Sequence, residues 1–161
     1  MQNILVLCTG NSARSILAEI ILNQLGEGRV RAFSAGSQPT GVVNPNAVVI
    51  LKMLGYDAVV KARSKSWDEF TGPDAPKFDL VVTLCDQAAG EVCPVWNGAP
   101  LQIHWGFPDP AAEPSDQARM AFMDVYEQIH SFASVLIDTP LAGHDATSLH
   151  QALAARLPAG I

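Results

Sequence analysis

Cys8 and Arg14 bracket five residues with short side chains, Thr9-Gly10-Asn11-Ser12-Ala13, directly after the apolar run Ile4 to Leu7. Side chains this small let the backbone curl so that successive N–H groups point inward, which makes a nest for an oxyanion. A helix expected to follow adds the positive end of its dipole, and the Arg14 guanidinium matches two oxygens of a tetrahedral anion. The same field favours an ionised sulfur, so a lowered Cys8 pKa and a nucleophilic thiolate are expected. Asn11 has an amide able to fix the shape of the loop, and Ser15 a hydroxyl able to stabilise the Cys8 thiolate. No Gly-Lys-Ser/Thr follows, so this is not a nucleoside-triphosphate loop. Further along, Asp109 lies between Pro108 and Pro110 in a rigid loop suited to a general acid, a role that asks for a carboxyl pKa raised by burial or by negative neighbours. Cys85 closes a second apolar run, and Cys93 follows it, giving three cysteines in all.

The elements that must position these groups are legible from pattern. Ile4 to Leu7, Val30 to Ala35, Phe78 to Leu84 and Leu101 to Trp105 are β-prone runs, the first with the continuous apolar character of a strand buried on both faces. Helices are expected from about Ala13 to Leu25, from Pro45 behind an Asn44 cap to Leu54, from Ser115 to Ile137, and from an Asp145 cap to Leu157, with a short one around Ser66 to Phe70. Gly72, Pro73 and Pro76 mark a loop, as does Gly106-Phe107-Pro108-Asp109-Pro110. This alternation implies an α/β fold. We expect a single domain with a four-stranded, mostly parallel sheet, helices on both faces, and a site where strand C-termini meet helix N-termini. The domain is expected over residues 1–140, with 141–161 as a C-terminal helical extension packed on it.

A chain of 161 residues with 48% hydrophobic and 16% charged residues is a packed globular protein. Ten basic against sixteen acidic residues leave a net charge of −6. An extended nucleic-acid surface is therefore not expected, and any anion site must be local. The first apolar run is too short for a signal or a membrane span, and an odd cysteine count argues against a stapled secreted framework. Cytoplasmic location and a monomer are expected, with no membrane partner, no cofactor and no metal.

The stretch from Cys8 to Ser15 resembles the Cys-x5-Arg-Ser signature of the low-molecular-weight tyrosine phosphatase superfamily. Val81-Val82-Thr83-Leu84-Cys85 followed by Cys93-Pro94, and His104-Trp105-Gly106-Phe107-Pro108-Asp109-Pro110, are similar to its arsenate reductase branch. With Ser34-Ala35-Gly36 and Asn44-Pro45, the resemblance spans roughly residues 3 to 137. It implies an oxyanion loop of Thr9, Gly10, Asn11, Ser12, Ala13, Arg14 and Ser15, and catalytic roles for Cys8, Arg14, Cys85, Cys93 and Asp109. Cys8 attacks arsenate, Asp109 protonates the departing oxygen, Cys85 attacks Cys8 to expel arsenite, and Cys93 takes over the bond to Cys85. Thioredoxin or a related dithiol reductant then resets the chain, while phosphate and sulfate compete with arsenate for the loop.

A regular helix from Cys85 to Cys93 would separate their Cα atoms by about 12 Å of rise. A disulfide needs them within about 7 Å. The intervening segment, which contains Gly90, must therefore rearrange. Some related reductases bind a potassium ion through residues matching Asn11, Glu19 and Ser34 with an acidic residue. Lys65 stands at the acidic position here, which implies an ammonium in the cation's place and no potassium dependence. His104 and the three tryptophans, Trp67, Trp96 and Trp105, read as structural. Two other functions remain open: a low-molecular-weight phosphatase, although Pro110-Ala111-Ala112 provides no aromatic platform after Asp109, and a non-catalytic arsenical-binding protein.

Overall fold

The computed structural model describes residues 1–161. Strands β1 (Gln2–Leu7), β2 (Val30–Ala35), β3 (Leu80–Thr83) and β4 (Leu101–His104) alternate with helices α1 (Arg14–Leu25), α2 (Pro45–Met53), α3 (Asp86–Ala89), α4 (Ala118–Ile137) and α5 (Ala146–Arg156). Short 3-10 helices occupy Asp57–Lys61, Trp67–Phe70 and Pro110–Ala112. All strand pairs are parallel, in the order β2-β1-β3-β4. Leu7 pairs with Ala35 and with Thr83, and Thr83 pairs with His104. The four strands thus end level, and Cys8, Gly36, Cys85 and the Trp105–Asp109 loop all leave the same edge. The order reverses at β1, so the loops after β1 and β3 flank the crevice where parallel sheets bind ligands.

Alternate residues of β1 divide the interior. Ile4 and Val6 join a large core with Ile16, Leu17 and Ile21 of α1, Ile50 and Leu51 of α2, Phe122, Ile129 and Phe132 of α4, and Leu149 and Leu153 of α5. Leu5 and Leu7 face a smaller cluster with Phe70, Phe78 and Trp96, and Cys93 packs against it. The sheet is covered on both faces, but unequally: four α-helices on one, a single 3-10 turn and aromatic side chains on the other. The expected reading of Trp67, Trp96 and Trp105 as packing residues agrees with this. Trp96 and Trp105 are buried, and Trp67 meets Trp96 edge to face at 6.2 Å.

Boundaries differ where tertiary contacts override local pattern. β3 is shorter than the apolar run Phe78 to Leu84, because the Phe78 N–H turns to the Asn97 carbonyl. α4 starts at Ala118 rather than Ser115, after a turn in which Gln117 N–H donates to Pro114 O. α3 was not foreseen: its four residues carry too little periodicity to register.

Candidate active site

The oxyanion loop is built from both sides of the β1 terminus. Cys8 N–H donates to Ala35 O, and Leu84 N–H to Leu7 O, which ties the loop to both neighbouring strands. Gly36 passes so close beneath it that a Cβ there would lie 2.4 Å from Thr9 O and 2.9 Å from Cys8 O. Asn11, fully buried, takes a left-handed conformation at φ 44°. Its Nδ2 donates to Ser15 Oγ at 2.8 Å, and its Oδ1 accepts from Lys65 N–H at 2.8 Å. Both ends of the amide are thus used to hold the curl. The Ser15 Oγ accepts this bond, which leaves its own O–H free as a donor. Ala13 precedes α1 without a side-chain cap, which leaves the first-turn N–H groups to an anion.

Arg14 donates from Nη1 to Phe107 O at 3.0 Å, and its Nη2 lies 3.8 Å from Asp109 Oδ2. The guanidinium therefore ties the oxyanion loop to the Asp109 loop. Asp109 is half exposed and pinned by its own turn, its Oδ1 accepting from Ala111 N–H. Burial, the first of the two causes invoked for its acid role, is thus only partial. These pieces line a cleft of about 710 Å³ whose walls include the whole Cys8–Arg14 loop, Cys85 and Asp109. Thr40, Asp86 and Gln87 also reach it, and none had been singled out. The signal for Thr40 is three-dimensional only: its N–H donates to Gly10 O across the loop.

Cys85 is buried against Cys8 and Ala88. Its Sγ accepts from Ala88 N–H at 3.4 Å and lies 3.6 Å from Thr9 Oγ1. The hydrogen bond from Cys8, with lesser help from Ala88 and Thr9, pulls the Cys85 pKa down to about 4 against the effect of burial. Cys8 moves the opposite way. The bond to Cys85 and then burial push its thiol up, and Arg14 opposes them without prevailing. The two sulfurs thus share one ionisation, the contact favouring a single thiolate in the pair. Sequence spacing could not show that contact. Cys93 lies apart, partly buried on the aromatic cluster, its thiol raised by that burial and by Glu91.

Beside the loop, Lys65 Nζ is within 3.3 Å of Glu19 Oε2, 3.2 Å of Ser34 Oγ and 3.3 Å of Arg63 O. Ser34 also donates to Glu19. The ammonium thus meets Glu19 and Ser34 of the three groups that the resemblance associates with a cation, and the third, Asn11, is held by the Lys65 backbone N–H. No group of three or more His, Cys, Asp or Glu side chains is arranged to hold a metal, and no helix is long and apolar enough to cross a membrane.

The family model of low molecular weight phosphotyrosine protein phosphatases matches residues 3–146. The chain belongs to that family. Among relatives of this phosphatase family, the arsenate reductase of Halalkalibacterium halodurans is 42% identical over 125 residues, covering 76% of this chain and 86% of that one. The crystal structure of an arsenate reductase from Archaeoglobus fulgidus superimposes with a TM-score of 0.62 at 27% identity, over 81% of this chain and 98% of that one. A thioredoxin-dependent arsenate reductase of Corynebacterium glutamicum matches 96% of this chain and 63% of its own, at TM-score 0.57 and 20% identity, which speaks to the fold alone.

Proposed function

We propose that this chain reduces arsenate to arsenite through a relay of Cys8, Cys85 and Cys93. One observation carries the reading. A second buried thiol, Cys85, touches the nucleophile at the floor of the oxyanion cleft, where hydrolysis of a phosphoester has no use for it. The names of the relatives support the same activity.

Arsenate occupies the N–H nest and the Arg14 fork. The Cys8 proton passes to Cys85, and the Cys8 sulfur forms a bond to arsenic as Asp109 protonates the departing oxygen, which leaves as water. Cys85 then attacks Cys8, giving its proton to an arsenic-bound oxygen. The electron pair of the sulfur–arsenic bond stays on arsenic, so arsenite departs and a Cys8–Cys85 disulfide remains. Cys93 attacks Cys85 and its proton goes to the departing Cys8 sulfur, leaving a Cys85–Cys93 disulfide. A dithiol of the thioredoxin type reduces that bond, in a chain acting as a cytoplasmic monomer. Residues 141–161 form a helical extension of the catalytic domain 1–140, and the Lys65 ammonium replaces a bound cation.

Sustained NADPH oxidation by the protein with arsenate, thioredoxin and thioredoxin reductase tests the reading. Hydrolysis of aryl phosphates without arsenate-dependent NADPH oxidation would favour the phosphatase alternative. A stoichiometric arsenite complex without turnover would favour a binding protein.

A further inference from the structure

His104 ends β4 one strand away from Thr83 and two residues before the Asp109 loop narrows the cleft. Its Nδ1 is 2.9 Å from Thr83 Oγ1 and its Nε2 is 3.0 Å from Asp86 Oδ1. A carboxylate only accepts, so Nε2 carries the hydrogen and donates to Asp86, and Nδ1 pairs with the Thr83 hydroxyl. Both ring nitrogens are used and the imidazole is fixed in plane. Asp86 is otherwise almost wholly exposed. It is the first residue of α3, and Cys85 is the cap of that helix, its sulfur held by the Ala88 N–H. Gly106 leaves room for the contact: a Cβ there would lie 3.2 Å from His104 Nε2 and 3.3 Å from Asp86 Oδ1.

We propose that His104 is a positioning residue that, by holding Asp86, seats α3 and thereby keeps Cys85 against Cys8 and away from Cys93 until the first disulfide has formed. The inference rests on the relay reading. Cys93 belongs to the aromatic cluster on the other face of the sheet, whereas Cys85 belongs with Cys8. Joining Cys85 to Cys93 needs residues 86–92 to leave their present arrangement, and the His104–Asp86 contact is the tie across the cleft rim that must yield. The tie stabilises the dithiol form relative to the Cys85–Cys93 disulfide. Removing it shifts that equilibrium toward the disulfide.

The test is a glutathione redox titration of the full chain, with thiol alkylation and peptide mapping to quantify the Cys85–Cys93 bond. It uses a Cys8→Ser background so that only this pair can form. Glutathione disulfide takes the two electrons and becomes two glutathione thiols. Each of His104→Ala and Asp86→Ala removes one exposed side-chain hydrogen bond, so each is expected to favour the disulfide about two- to fivefold. That corresponds to a potential about 9 to 21 mV more negative at about 29.6 mV per decade. The double variant should shift no further than either single one. His104→Gln, which retains an N–H donor toward Asp86, should return toward the starting value. Binding of inorganic phosphate, measured in Cys8-containing His104→Ala, confirms an intact loop. Unchanged or oppositely shifted equilibria, or additive single effects, overturn the positioning role while leaving the relay standing. Failure of the starting protein to form any Cys85–Cys93 bond overturns the relay and this inference together.

Discussion

At the level of single residues the two buried sulfurs hold one proton between them and titrate as a unit. Their contact pulls one thiolate of the pair below the ordinary cysteine value of about 8.5. Mild alkylation near pH 6 should therefore modify one sulfur of the pair, and reactivity that appears only in the ordinary cysteine range would contradict a shared low-pH thiolate. Cys85→Ser removes the largest cause raising Cys8 and leaves Arg14 to act. The Cys8 thiolate, followed by its ultraviolet absorbance, should then appear at lower pH than in the unmodified chain. The same variant should lose arsenate-dependent NADPH oxidation entirely yet bind phosphate with unchanged affinity. Arg14 and Cys8 announced themselves through spacing alone, because a loop of small residues between a strand and a helix has few other uses. The coupling of the two thiols did not, since their contact joins residues 77 positions apart in the chain.

At the level of elements, the site depends on a loop wedged between strand ends that finish level. Gly36→Ala forces a methyl group into the Thr9 and Cys8 carbonyls. It should cost about 1–3 kcal/mol in chemical denaturation, as overpacking does, and weaken phosphate binding by displacing the loop. Lys65→Met leaves Glu19 without its cation. The pair is largely buried on the lysine side, so a loss on the order of 3 kcal/mol is expected, while the backbone N–H of residue 65 that holds Asn11 is retained. For the same reason, exchanging sodium for potassium should leave kcat/KM of the unmodified chain unchanged, and a clear rise would remove the ammonium from its assigned place. The strand and helix sequence was legible because alternation of β-prone runs with 3.6-periodic stripes prescribes a parallel sheet. The one-turn α3 and the shortened β3 were not, because what sets them is a hydrogen bond to Asn97 and a cysteine cap rather than any run of side chains.

At the level of the whole molecule, α5 is bound into the same interior as the catalytic elements. Leu149 and Leu153 are fully buried, His150 stacks on Trp105 at 4.6 Å, and Arg156 bonds Asp138 O and Thr139 Oγ1. Leu153→Ala should lower unfolding free energy by about 2–5 kcal/mol while the phosphate dissociation constant holds, since no residue of α5 lines the cleft. A large loss of phosphate affinity in that variant would mean that the tail supports the site through Trp105. The smaller aromatic cluster has a different consequence. Cys93 packs against a cluster that includes Trp96, so its departure in the proposed relay should change what the indole senses. The molecule therefore carries a built-in fluorescent gauge of its oxidation state, on which each turnover can be watched without a dye.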